Sequence, residues 1–447
     1  MSEPRGATFL PAKQGLHGDL VVPGDKSISH RAVLLGAVNS RPLTITGFLR
    51  SADTMATVVA VRSLGVGVED RGESLVVGGN GWTGLSEPEN VIDVANAGTL
   101  IRLLPGIVAS LPFLTVLTGD ASIRRRPMAR IVEPLKAMGA TVLARKGATL
   151  PPLSILGGPL QGITYQMQVA SAQVKSCVLL AGLRASGVTS VVEPGASRDH
   201  TERLLRFGGA RVEREGAADG PGTVSVWPVG QLTLSDIAVP GDFSSAAFFI
   251  IAALLAAGSE VTIDNVGLNP TRTALLEVLK DMGAHIQVEP SPIGGPEPVG
   301  RITAKSTELQ AVDVGARLVP NLIDELPLFL LAAAKARGVS RLRGAAELRA
   351  KESDRLSAMA DVLRALGVNV EEDADGMDIE GRPEGWHGGA ISACGDHRIS
   401  MVGAIAGLAS HDGVHVDDIE CTAVSYPGFA DAVSSLGGSV RLDEVRR

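Results

Sequence analysis

Polar and charged side chains of the kinds that grip anions recur along this chain at the starts of helix-like segments. One set reads Lys26-Ser27-Ile28-Ser29-His30-Arg31, Asn96-Ala97-Gly98-Thr99, Ser171-Ala172-Gln173, Asp242, Asp324 and Asp396-His397-Arg398. A second set reads Asp53-Thr54, Arg124-Arg125-Arg126-Pro127, Arg198-Asp199, Thr271-Arg272, Lys351-Glu352-Ser353-Asp354-Arg355 and Pro427. A helix N-terminus exposes unpaired N–H groups and partial positive charge, so Asp242 and Asp324 fit there as ordinary caps. Lys26, Arg126 and Arg398 oppose the dipole unless an anion lies between them and it. Arginine suits a phosphate or carboxylate because its fork is bidentate, whereas lysine is a compact charge that also transfers protons. Lys351 and Arg355, four apart, are expected on one helix, where like charges repel unless something negative bridges them. Arg124 and Arg125 read as a solvated basic face, His30 and His397 as hydrogen-bonded structural imidazoles, and Ser171 equally well as a simple cap.

The elements that position these groups repeat. Val22-Pro23-Gly24-Asp25 returns as Val239-Pro240-Gly241-Asp242. A finer echo places an apolar residue and glycine at Leu64-Gly65, Met138-Gly139, Phe207-Gly208, Met282-Gly283, Leu366-Gly367 and Leu436-Gly437, about 70 to 84 residues apart. Each closes an amphipathic stretch, as in Ala274 to Met282, and leads into alternating apolar residues such as His285-Ile286-Gln287-Val288. Six units in two triplets predict two similar α/β domains, hinged near 20–24 and 238–242. A purely structural solenoid is the alternative, which the placement of the charges disfavours.

Bulk properties bound the function. The 447 residues are 45% hydrophobic and 20% charged, with 3% aromatics and a net charge of −8. That length calls for two domains with aliphatic cores, and the acidic balance argues against a general nucleic-acid surface. The sequence has no signal-like start and no apolar run long enough to cross a bilayer, so a cytoplasmic protein with no membrane partner is expected. Cys177, Cys394 and Cys421 are scattered, which predicts reduced thiols and no structural zinc. Gly24-Asp25-Lys26-Ser27 lacks P-loop spacing, Gly65-Val66-Gly67 lacks the third glycine of a dinucleotide fingerprint, and no HExxH stands in the chain. Catalysis by side chains alone, with neither metal nor cofactor, is the expectation.

Taken together, the Lys26 to Arg31, Asn96 to Thr99, Arg126-Pro127, Ser171 to Lys175, Lys351 to Arg355 and Asp396 to Arg398 stretches resemble the signatures of the 5-enolpyruvylshikimate-3-phosphate synthase family, nearly end to end. The resemblance implies two pseudo-symmetric inside-out α/β barrel domains, residues 24–239 and residues 1–23 plus 240–447, each of three βαβαββ repeats, around a cleft that closes on substrate. It implies transfer of the enolpyruvyl group of phosphoenolpyruvate to the 5-hydroxyl of shikimate 3-phosphate, on the route to chorismate and aromatic amino acids. Lys26, Ser27, Arg31, Ser171, Ala172, Gln173, Arg198, Asp324 and Lys351 would then hold shikimate 3-phosphate. Lys26, Asn96, Gly98, Arg126, Gln173, Arg355 and Arg398 would hold phosphoenolpyruvate, and Lys26, Asp324 and Glu352 would move protons. The family expectation is a monomer.

Ala172, Arg198 and Val424 depart from the better-known class of that family, whereas Ala170 to Lys175 and Arg198 to Thr201 are similar to its second class. In second-class relatives that tolerate glyphosate an alanine replaces Gly98; the glycine here implies inhibition by glyphosate in competition with phosphoenolpyruvate. UDP-N-acetylglucosamine enolpyruvyl transferase is disfavoured, because it has Lys-Asn at Lys26-Ser27 and a loop cysteine where residues 119–127 have none. RNA terminal-phosphate cyclase is disfavoured by the acidic balance. A non-catalytic anion-binding module is disfavoured by Lys26, Asp324 and Glu352.

Overall fold

In the computed structural model, which describes residues 5–217, 219–292 and 294–444, helices and strands alternate along the whole chain. Two compact units result. The N-terminal unit runs Gly24–Val239 and gains a short segment ending at Glu297; residues up to Pro23, Pro240–Pro292 and from Pro298 onward form the C-terminal unit.

Among the described residues each unit carries three four-stranded sheets of one topology. A short leading strand pairs in parallel with a second, which is antiparallel to a third, itself antiparallel to a fourth. Asp313–Val314, Val339–Leu342, Met377–Glu380 and Asn369–Glu372 follow that order. So do Ile92–Asp93, Leu114–Thr118, Leu150–Leu156 and Thr141–Ala144. Two sheets of the C-terminal unit borrow strands from the start of the chain. His17–Val21 leads the sheet of Glu260–Gly267, and Ala7–Leu10 lies between Gly413–Val416 and Ser439–Leu442.

Two kinds of helix serve each sheet. Lys26–Val38, Leu100–Val108, Ala172–Gly182, Phe243–Leu255, Leu326–Lys335 and His397–Leu408 are buried over most of their length. Helices apolar or small on every side must sit inside a core. Every residue of Phe243–Leu255 is buried, whereas strands such as Val339–Leu342 alternate exposed and buried. Helices therefore fill the middle of each unit and sheets wall it, an inside-out arrangement. Gly106 shows how close the inner helices come: a Cβ there would lie 2.3 Å from the Cys177 carbonyl oxygen.

The second helices, among them Ala274–Asp281 and Arg355–Ala365, expose one face. They stop at left-handed glycines such as Gly283, φ +85°. In the third repeat the left-handed residue is Gly209, not Gly208, because Gly208 still caps the helix with φ −82°. In the C-terminal unit Phe9 and Tyr426 both pack on Phe429.

Candidate active site

In the N-terminal unit the starts of the three inner helices come together. Lys26 opens its helix beneath the cap made by Asp25, whose carboxylate accepts from the Ile28 N–H at 2.8 Å. Its ammonium is ion-paired with Asp53, in the first turn of Ala52–Ser63. Asp53 supplies the negative charge that a lysine at a helix N-terminus calls for; its place at the start of a second helix is legible in the sequence, its pairing with Lys26 is not. Arg31 is buried and donates to Thr201 Oγ1 at 2.7 Å, Ser176 Oγ at 2.9 Å and the Ser27 carbonyl at 3.0 Å. Burial pulls its guanidinium down to about 10 against the opposing pull of Glu202 and Asp25, so it stays charged at neutral pH. His30 shares a 2.6 Å hydrogen bond with Thr57. Burial, then Lys26 and Arg31, push its pKa well below the usual histidine value, leaving a neutral imidazole fixed in the core.

The second and third helices interlock through an arginine that sequence reading missed. Arg102 donates to Gln173 Oε1 at 2.9 Å and to the Gly98 carbonyl at 3.4 Å, and Gln173 donates to Thr99 Oγ1 at 3.3 Å. A lone arginine within the apolar Leu100–Val108 was the overlooked signal. Ser171 caps the helix that Ala172 opens, accepting from the Val174 N–H at 3.5 Å. Arg126 donates to Asn96 Oδ1 at 3.5 Å and Ser122 Oγ at 3.4 Å. It does not open a helix: it closes the turn Ile123–Arg125 in extended conformation, and the helix starts at Ala129. Arg124 and Arg125 are exposed and Arg126 is partly covered. Arg198 is partly buried just before Asp199, the residue flanking the start of His200–Phe207.

In the C-terminal unit three cations surround one carboxylate. Arg355 Nη1 lies 3.4 Å and Lys351 Nζ 3.9 Å from Asp324 Oδ1, and Arg398 Nη2 lies 3.8 Å from Asp324 Oδ2. Arg398 also donates to the Asp324 carbonyl at 2.9 Å. Asp324 is thus not a helix cap. Glu325 takes the flanking position before Leu326, and its side chain accepts from the hydroxyl of Ser244.

Nor do Lys351 and Arg355 share a helix. Lys351 is extended, with φ −84° and ψ −157°, and the helix starts at Arg355 because Asp354 captures the Ser357 N–H at 3.1 Å. The negative bridge their proximity requires is Asp324. Arg355, almost wholly buried, also donates to Asp396 Oδ2 and to Glu352 Oε2, each at 2.7 Å. Burial opposes its charge, but Glu352, Asp396 and Asp324 outweigh that and raise its pKa. Asp396 in turn accepts from the Arg398 N–H at 2.9 Å as a helix cap.

In each unit, cations are thus paired with carboxylates close to helix starts. The family model for EPSP synthase, 3-phosphoshikimate 1-carboxyvinyltransferase, matches residues 11–433. The chain belongs to the EPSP synthase family. It is 45% identical to the 3-phosphoshikimate 1-carboxyvinyltransferase of Bacillus cereus over 429 residues, 96% of this chain and 99% of that one. With the Geobacter sulfurreducens enzyme of the same name it shares 49% over 419 residues, 94% and 96% of the two chains. The solved EPSP synthase of Acinetobacter baumannii superposes with a TM-score of 0.88 at 41% identity, over 98% of this chain and all of that one. The enolpyruvyl transferase NikO of Streptomyces tendae shares the fold, with a TM-score of 0.79 at 20% identity. The fold is therefore that of the enolpyruvyl transferases, two inside-out barrels of three repeats each, and EPSP synthases are enzymes of the shikimate pathway. Among the described residues, no three His, Cys, Asp or Glu side chains lie close enough to hold a metal ion, and no helix is long and apolar enough to cross a membrane.

Proposed function

We propose that the chain transfers the enolpyruvyl group of phosphoenolpyruvate to the 5-hydroxyl of shikimate 3-phosphate, with the protein supplying all proton transfers. The convergence of Lys351, Arg355 and Arg398 on Asp324 carries the reading. Shikimate 3-phosphate binds to Lys26, Ser27, Arg31, Ser171, Ala172, Gln173 and Arg198, with Lys351 and Asp324 at the reacting hydroxyl. Phosphoenolpyruvate binds to Lys26, Asn96, Gly98, Arg126, Gln173, Arg355 and Arg398. A multiply charged anion arriving beside Asp324 and Glu352 raises the proton affinity of both. Asp324 accepts the proton of the 5-hydroxyl as its oxygen bonds to C2 of phosphoenolpyruvate, and Glu352 delivers a proton to C3. The tetrahedral intermediate then loses a C3 proton to the protein as the C2–O bond to phosphate breaks, and Lys26 compensates the departing charge.

Phosphate release from phosphoenolpyruvate should require shikimate 3-phosphate. Turnover with UDP-N-acetylglucosamine instead would select the related transferase, and no turnover with either would leave only an anion-binding protein. The division of ligands is tested by Arg126→Gln and Arg398→Gln. Each should raise the phosphoenolpyruvate KM by about tenfold or more and the shikimate 3-phosphate KM by less than about threefold; equal losses would overturn the assignment.

Gly98 bears on inhibition by glyphosate, a phosphonate with room in the phosphoenolpyruvate pocket only if that pocket is unobstructed. A methyl group on Gly98 would lie 2.6 Å from Arg126 Nη1 and 3.5 Å from Arg102 Nη1. The first contact is with the end of a flexible side chain, so Arg126 gives way and the pocket narrows. Gly98→Ala should raise the glyphosate inhibition constant by at least about tenfold and the phosphoenolpyruvate KM by only a few fold. Inhibition unchanged by the substitution would refute this placement of Gly98.

A further inference from the structure

Lys175 is wholly buried in the inner helix Ala172–Gly182, and the anion sites proposed above do not use it. A buried ammonium persists only when paired and hydrogen-bonded. Lys175 Nζ lies 2.7 Å from Glu202 Oε1 and 3.1 Å from Glu193 Oε1, and it donates to the Ser197 carbonyl at 3.1 Å. Glu193, also wholly buried, pairs with Arg214 at 2.6 Å and accepts from the Ser197 hydroxyl at 2.5 Å. Two glutamates face two cations, so the cluster is formally neutral and attracts no ligand itself.

Its placement does the rest. The carbonyl that Lys175 holds belongs to the peptide joining Ser197 to Arg198. Glu193 ends the strand Thr189–Glu193 and Glu202 lies in the helix His200–Phe207, so residues 194–199 are fastened at both ends and in the middle. The neighbours of the two ion-pair partners, Ser176 and Thr201, share a 2.6 Å hydrogen bond and accept from Arg31. Ser171 and Gln173 lie on the same helix as Lys175, one turn or less away.

We infer that Lys175 is a positioning residue for shikimate 3-phosphate, setting Arg198 at a fixed distance from Ser171 and Gln173. The inference rests on the reading that Arg198 holds that substrate. A purely structural lysine would affect stability without selecting one substrate. A positioning lysine shifts one KM through Arg198.

The decisive variant is Lys175→Met combined with Glu202→Gln, which removes the bond to the Ser197 carbonyl while keeping the buried cluster neutral. Its shikimate 3-phosphate KM should rise about tenfold, with the phosphoenolpyruvate KM within about twofold. In an Arg198→Ala background the same pair should add less than about twofold, because the residue it positions is gone. A normal shikimate 3-phosphate KM in the double variant, equal rises in both KM values, or a full tenfold effect without Arg198 would each overturn the inference. An unchanged KM in Arg198→Ala alone would instead remove the assignment of Arg198 on which it rests. Should the double variant fail to fold, Ser197→Ala decides, since it removes one hydroxyl contact to Glu193. A rise of about threefold in the shikimate 3-phosphate KM alone supports positioning, and no change overturns it.

Discussion

Replacing Glu352 with glutamine is expected to lower kcat by about 10²- to 10⁴-fold while the KM for shikimate 3-phosphate changes by less than about threefold. Glu352 Oε2 accepts from Arg355 Nη2 at 2.7 Å, and its side chain is 28% exposed. The glutamine carbonyl can still accept that hydrogen bond, so Arg355 keeps its orientation and the anion site its shape. What the amide cannot do is carry a proton to carbon. Hydrogen exchange at C3 separates this from a general loss of fit: in D₂O the parent enzyme should place deuterium in the methylene group of phosphoenolpyruvate, and the variant should lose that exchange along with turnover. A kcat within about tenfold of the parent, with exchange intact, would assign the C3 proton to another group.

Arg355→Met should cost about 3–5 kcal/mol of stability as well as activity, because it leaves Asp396 buried beside no compensating guanidinium. Burial alone would raise the Asp396 carboxyl; the charge and hydrogen bonds of Arg355 outweigh it and hold Asp396 below its ordinary value of 3.8. The folded protein therefore binds that proton less readily than the unfolded chain. The resulting stabilisation is complete above that ordinary value and is lost as pH falls through the lower, folded one. Urea unfolding of the parent should show this acid-sensitive contribution, and in Arg355→Met it should be gone. The exposed pair Arg301–Asp264, 2.6 Å apart, serves as control: Arg301→Met should leave the urea midpoint almost unchanged. Similar losses for the two arginines would mean that the cluster around Asp396 contributes no more than a surface pair.

The repeated unit was legible because its parts are periodic: a largely apolar helix such as Phe243–Leu255 and a left-handed glycine such as Gly283 have few other readings. Helix starts were less so. Lys351 and Arg355 have helical spacing, yet Asp354 captures a backbone N–H and starts the helix at Arg355, a choice between neighbouring acceptors that periodicity cannot express. Asp324 has the right type for a cap, but Glu325 stands next to it, and only tertiary packing shows which carboxylate faces the cations. The pairing of Asp53 and the role of Arg102 were illegible for a related reason. Each acts through a partner distant in sequence, Lys26 for one and Gln173 for the other. Lys175 lay inside a recognised motif, but its pairing with Glu193 and Glu202 depends on a fold that the motif does not spell out.

The strands Ala7–Leu10 and His17–Val21 are made before any strand they pair with, and Ala7–Leu10 waits the longer for its partners. Residues 24–239 follow as one uninterrupted stretch, able to fold as they emerge. Ala7–Leu10 must wait for Gly413–Val416 and Ser439–Leu442, its two antiparallel neighbours, to be translated. Until then its backbone groups and Phe9, whose place is against Phe429, stay open to unwanted pairing. Such long-range closure is slow, because the chain must surrender the freedom of a very large loop before the pairing compensates. The last sheet of the C-terminal unit thus closes only once Ser439–Leu442 has been made and has joined Ala7–Leu10.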